Sequence, residues 1–139
     1  MEMMQKQLLE PSYPLESNDN FYVNIETIKN QYTLIEDSFN NQQQIIGFIL
    51  CHDLTDFLLW ISKPINAIFL NLNFKKTLHL FKCWDEIDYH LVLTIYSDEE
   101  DMDRVTQLEG QLFERIIEHY PEHRIENVFN YLSIAQRSI

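Results

Sequence analysis

Residues 97–120 read SDEEDMDRVTQLEGQLFERIIEHY, and this stretch decides the fold. Its apolar residues Met102, Val105, Leu108, Leu112, Phe113, Ile116, Ile117 and Tyr120 recur every three or four positions, which makes one stripe along a long amphipathic helix. Ser97 is suited to cap its start, and Ser97 with Glu100 has the capping-box spacing. Asp98, Glu99, Glu100 and Asp101 add negative charge in the first turn, where it suits the helix dipole. Pro121 ends the element. Gly110 sits inside it at a cost of about 1 kcal/mol relative to Ala, and is expected to mark a close helix–sheet contact.

Working upstream, Thr77–Cys83 and Tyr89–Tyr96 read as two strands joined by Trp84-Asp85-Glu86-Ile87-Asp88. In the second, Tyr89, Leu91, Leu93 and Ile95 point one way and His90, Val92, Thr94 and Tyr96 the other, so a hairpin with a charged tip is the simplest arrangement. Ile68, Leu70, Leu72 and Phe74 alternate with Phe69, Asn71 and Asn73, another strand signal, before the polar break Lys75-Lys76. Residues 45–62 are ambiguous. Ile45–Cys51 fits a buried strand or part of a helix. Leu54, Phe57, Leu58 and Ile61 fall at i, i+3, i+4 and i+7, favouring a helix from near Asp53 that ends before Pro64. Asn40–Gln44 reads as a loop, Tyr32–Glu36 as a strand, Lys29–Gln31 as a turn, and Phe21–Thr27 as a half-buried strand by its period of two. Residues 1–19, with Pro11 and Pro14, read as a loose lead-in. Downstream, Arg124–Ile134 fits a short helix (Ile125, Val128, Phe129, Leu132) or a last strand. The expected fold is one α+β domain over residues 1–139: a mainly antiparallel sheet with the helix of about 98–120 packed on one face.

Composition bounds the function. The chain has 139 residues, 22 acids against 10 Lys and Arg, a net charge of −12 and 45% hydrophobic residues, which is a globular domain rather than a disordered acidic chain. Its 2 glycines, Gly47 and Gly110, cannot build a dinucleotide fingerprint or a P-loop. The acidity argues against binding nucleic acid or anionic lipid. Cys51 and Cys83 follow no metal-like spacing and suit reduced thiols. Glu2, Lys6 and Glu10 interrupt the N-terminus before any signal-peptide core forms, and Ile45–Cys51 and Phe57–Ile61 are too short to span a bilayer. The expectation is a cytoplasmic protein.

Charge is segregated along the chain. From Asp85 to Glu109 nine acids face one base, a net −8, whereas Phe57–Cys83 carries four lysines and no acid. If the 77–96 hairpin forms, its tip and the helix start lie at opposite ends of one strand; nine residues at roughly 3.3 Å each would separate them by about 30 Å, making two acidic patches. The candidate partner-binding residues are Trp84, Asp85, Glu86 and Asp88 on the first, and Asp98, Glu99, Glu100, Asp101 and Asp103 on the second. Trp84 beside acids has the character of an interface hot spot. His119 and His123, with Glu118 and Glu122 beside them, have the i, i+4 spacing of metal-binding helices, but Pro121 between them breaks the last turn. His79 and His90 are placed to face each other across the hairpin with Cys83 close in sequence, a pair that lacks the third and fourth ligands a metal wants. Cys51-His52-Asp53 contains the three residue types of a nucleophilic triad, but neighbours in sequence do not converge on one substrate.

No catalytic residue, cofactor or metal is expected from these patterns. The leading reading is a non-enzymatic, acidic protein-binding module for a basic partner, one version being an immunity or antitoxin-type inhibitor of a cationic nuclease toxin. A second is a small enzyme or ligand-binding domain whose site is assembled from dispersed His, Asp and Tyr. The signature of that reading would be a deep pocket holding two or more of His52, His79, His90 and Asp53. A third is a homo-oligomer, a homodimer for example, joined through a strand edge or an apolar helix face.

Overall fold

The computed structural model describes residues 15–82 and 89–139, the side chains of 15–21 excepted. In chain order the elements are α1 (Leu15–Gln31), β1 (Thr33–Ile35), α2 (Gln42–Cys51), α3 (Thr55–Ile68), β2 (Phe74–Lys82), β3 (Tyr89–Ser97), α4 (Met102–His119), α5 (Glu122–Phe129) and β4 (Leu132–Ser138). The fold is α+β, with a sheet ordered β1-β2-β3-β4.

Only the central pairing, β2 with β3, is antiparallel; β1 runs parallel to β2 and β4 parallel to β3. The expectation of a mainly antiparallel sheet is therefore corrected to a mixed one. The reason lies in the connections. Helices α2 and α3 bridge β1 to β2, and α4 and α5 bridge β3 to β4, and a helical crossover returns the chain parallel.

The two crossovers step the same way across the sheet while their strands point in opposite directions. Two right-handed crossovers of that kind would lie on opposite faces of the sheet. Here α3 and α4 pack on each other, with Trp60 stacked on His119 at 4.2 Å and Phe57 5.8 Å from Tyr120. One crossover is therefore left-handed, and the helical layer covers a single face. That face carries Leu78, Leu80, Leu91, Leu93, Ile95 and Leu132, all buried with Leu58, Ile61, Ile65, Leu108, Leu112 and Ile116. The opposite face carries the rows Lys75–Tyr96–Arg137, Thr33–Thr77–Thr94–Ala135 and Ile35–His79–Val92–Ser133. No helix among the described residues covers it.

Several local expectations are corrected. Phe21–Thr27 is part of α1, not a strand, because its controlling spacing is Ile25, Ile28, Tyr32; Ile28 and Tyr32 are buried while Val23 is exposed. Residues 15–19 of the expected lead-in also lie in α1. Gln42–Gln44 is the first turn of α2, capped by a reciprocal box: Asn41 Oδ1 accepts from the Gln44 N–H and Gln44 Oε1 from the Asn41 N–H. Ile45–Cys51 is helical. Helix α3 runs through Pro64 to Ile68, and burial of the ring offsets the lost N–H bond. The alternation at 68–74 is the end of α3 and a turn, with Phe69 buried as the C-cap. Helix α4 starts later than expected because Asp101, not Ser97, is its N-cap; Ser97 is still in β3. The tail is both of its alternatives, α5 and then β4.

Helix α2 ends in a Schellman turn. The Asp53 N–H donates to the Leu50 carbonyl (3.3 Å) and the Leu54 N–H to that of Ile49 (2.9 Å). Asp53 takes the left-handed position, φ 56°, where glycine is usual. This break bends α3 away from α2 by 105°. No single helix among the described residues is long and apolar enough to cross a membrane.

Gly110 does not mark a close contact: it is exposed on α4, and a Cβ there would meet nothing within 4 Å. Gly110→Ala is therefore expected to raise the unfolding free energy by about 1 kcal/mol, since it removes the helix penalty of glycine without a clash. Urea denaturation of the two proteins checks this, and a loss of stability would show that α4 is packed there.

Candidate functional site

The five acids Asp98, Glu99, Glu100, Asp101 and Asp103 gather at the β3–α4 junction. Their carboxylates are partly committed to the chain itself. Asp98 accepts from the Asn73 backbone and side chain at 3.2 and 2.9 Å and so fastens the turn before β2. Glu99 Oε2 accepts from the Asp101 N–H, and Asp101 Oδ1 from the Asp103 N–H as the α4 cap. Glu100 and Asp103 bond nothing with their carboxylates among the described residues. No base among them pairs with any of the five: Arg104 turns to Gln107, and Arg137, which shares a groove of about 80 Å³ with Glu99 and Glu100, forms no ion pair. Trp84, Asp85, Glu86 and Asp88, with Cys83, lie outside the described residues.

A larger cleft, about 360 Å³, lies where α2 and α5 both end. Cys51, His52 and Asp53 line one side, and Arg124, Asn127, Val128, Asn130 and Tyr131 the other. The His52 and Tyr131 rings stack at 4.0 Å, with Phe48 4.4 Å from His52. Cys51, His52 and Asp53 thus meet in one cleft, yet no hydrogen bond joins them, so the run is not a triad. Asp53 and Arg124 face the same space without forming an ion pair among the described residues. The α5 half of this cleft was not read from the sequence. Arg124, Asn127 and Val128 share one face of α5 by their spacing, but Asn130 and Tyr131 lie past its end, and no sequence pattern joins them to residues 51–53.

The histidine pairs do not form. On the open sheet face the register sets His79 beside Val92 and His90 beside Phe81. His79 Nε2 lies 2.7 Å from Asp37 Oδ2, and His90 Nε2 lies 2.6 Å from Ser133 Oγ. The His79 bond, followed by the Phe39 and Asn40 backbone N–H groups, holds the Asp37 carboxyl below its usual range. His119 stacks on Trp60, and Pro121 separates it from His123, which begins the next helix. Among the described residues no group of three or more His, Cys, Asp or Glu side chains is placed to share a metal ion.

One buried cation stands apart. Lys76 is only 8% exposed on the core face of β2, where its Nζ donates to Ser62 Oγ and to Asn66 Oδ1 (3.0 Å) and sits 5.1 Å from the Tyr32 ring centre. Ser62 is fully buried, so this serine–lysine contact offers no hydroxyl to a substrate.

No protein-family model matches this chain, and neither a curated protein nor a solved structure is significantly similar to it.

Proposed function

We propose that the protein is a non-catalytic binding module that docks on a basic protein, an immunity or antitoxin-type inhibitor of a cationic toxin being the version that its size and charge suit. The observation that carries this reading is the α4 N-terminus: five acids within residues 98–103, none paired with a base among the described residues. In a chain of net charge −12 such an end projects a strong negative potential, which speeds encounter with a positive surface.

The test uses the protein encoded beside this one, because inhibitors are commonly encoded next to their targets. Binding is measured by calorimetry and stopped flow at low and high salt, for the wild type and for Glu99→Gln/Glu100→Gln/Asp103→Asn. These changes spare Asp98 and Asp101, whose carboxylates hold the fold. The expected result is salt-sensitive association that the triple variant slows about tenfold with little change in thermal stability. Absence of binding, or binding indifferent to salt and to the triple variant, would overturn the reading.

A second reading has an observation of its own. The α2–α5 cleft holds His52, Asp53 and Tyr131, a site assembled from dispersed residues as a ligand-binding domain would have. Its walls are mostly polar and it is open to solvent, whereas small-molecule sites are usually enclosed and apolar. Protein docking remains the better fit.

A further inference from the structure

Strand β4 is an edge of the sheet and is seven residues long, Leu132–Ser138. Backbone groups of a strand point alternately to its two sides. The Tyr131 carbonyl accepts from the Leu91 N–H (2.9 Å) and the Ile139 N–H donates to the Ser97 carbonyl (3.1 Å), so the odd-numbered residues address β3. The N–H and C=O groups of Leu132, Ile134, Gln136 and Ser138 therefore point away from the sheet, and among the described residues no other backbone meets them. Natural edges are usually blunted by shortness, proline, lysine or a bulge. The opposite edge, β1, is three residues long. In contrast, β4 reads LSIAQRS, with no proline, glycine or lysine and an unbroken register against β3.

We propose that this edge is a self-association surface: a second copy of the chain pairs along β4, antiparallel and two-fold, merging two four-stranded sheets into one of eight strands. Antiparallel bonding pairs outward residues with outward residues, and the register that uses the whole strand places Ala135 on the axis. Ile134 then bonds with the partner's Gln136, and Leu132 with the partner's Ser138. The same register sets Tyr131, 37% exposed, opposite the partner's Ile139, 72% exposed, and it does so at both ends. Met102, 72% exposed, lies in the groove beside Gln136 and Ser138, near the same end. Exposed apolar groups thus stand where a second copy covers them, as an isologous interface requires.

This surface is independent of the acidic end, and salt separates the two. Docking on a basic partner weakens as salt rises. Two copies of net charge −12 repel, and salt screens that repulsion beyond about 8 Å at physiological strength, so the dimer tightens.

Sedimentation velocity of the full chain is expected to show a monomer–dimer equilibrium that shifts toward dimer with salt. Ala135→Lys puts like charges face to face on the axis, on the sheet face away from the core. It is expected to give a monomer with the wild-type circular dichroism spectrum. In a Cys51→Ser/Cys83→Ser background, Ala135→Cys is expected to cross-link under mild oxidation, because residues opposite each other at a non-hydrogen-bonded antiparallel position lie about 4.5 Å apart, within disulfide reach. Ser133→Cys faces the partner's Arg137 and is expected not to cross-link. A monomer at every concentration and salt, or a dimer that ignores Ala135→Lys and cross-links equally well through residue 133, would overturn the proposal.

Discussion

Leu93→Ala is expected to lower the unfolding free energy by about 3–4 kcal/mol and the melting temperature by roughly 10 °C, while Val92→Ala, its neighbour in β3, is expected to cost about 1 kcal/mol or less. The contrast follows from one-sided packing. Leu93 is fully buried under the helical layer, in register with Leu78 and with Ile134. Its truncation leaves a cavity among fully buried neighbours such as Leu78, Leu91 and Ile95, which have little freedom to collapse into it. Val92 points to the face without helices and is half-exposed beside His79 and Ser133, so its loss leaves no cavity. Urea and thermal unfolding of both variants measure the difference directly. Equal costs would mean that the second sheet face is covered too, and the single-layer architecture, with its one left-handed crossover, would be wrong.

That architecture was only partly legible in the sequence, for reasons that differ between elements. The start of β2 is not legible, since Lys75 and Lys76 look like a polar break although both lie in the strand. The hairpin itself is, because Tyr89, Leu91, Leu93 and Ile95 alternate with His90, Val92, Thr94 and Tyr96 over eight residues. The α4 stripe was readable for the matching reason, and its buried members are Leu108, Leu112 and Ile116. Helix α1 resembles a strand because Phe21, Val23 and Ile25 alternate; Phe21 and Ile25 suit either period, and it is the apolar Val23, exposed in the helix, that tips the pattern toward a period of two. The deciding residues fall beyond it: Ile28 just past the alternation, and Tyr32 across the polar Lys29–Gln31 stretch that resembles a turn. The alternation at 68–74 failed differently. Phe69 is buried as the last turn of α3 closes, whereas Leu70 is exposed, a pattern set by a helix end and not by a pleat. Strand direction is legible only for the β2–β3 hairpin; the parallel pairings of β1 and β4 depend on the helices that lie between strands. The acidic end was visible as composition, but not that Asp98 and Asp101 are held by the fold while Glu100 and Asp103 are free. The α2–α5 cleft was invisible, since it joins residues 51–53 to 124–131 through the meeting of two helix ends.

Lys76→Met is expected to stabilise the protein by about 1–3 kcal/mol at neutral pH, because a buried charge with neutral partners recovers only part of its lost hydration. No carboxylate among the described residues pairs with Lys76. Its partners are the Ser62 hydroxyl, the Asn66 amide and the Tyr32 ring, and burial holds its amine below the usual lysine range. Methionine fills a similar volume. The Tyr32 hydroxyl stays partnered, donating to the Leu58 carbonyl, and Asn66 reaches solvent. The pH dependence supplies the sharper test. The unfolded lysine, near 10.4, binds its proton more tightly than the folded one, so the unfolded state carries the excess protons between the two values and wild-type stability rises with pH across that window. Below the folded value the full penalty is present; approaching the unfolded value it fades. The Met variant lacks this slope, so its advantage is expected to be largest at neutral pH and to shrink toward about pH 10. Urea unfolding of both proteins across that range decides the matter. A Met variant less stable than wild type at neutral pH would mean that the bonds to Ser62 and Asn66 outweigh the cost of burial. An advantage that does not narrow with pH would mean that it comes from packing and not from the charge.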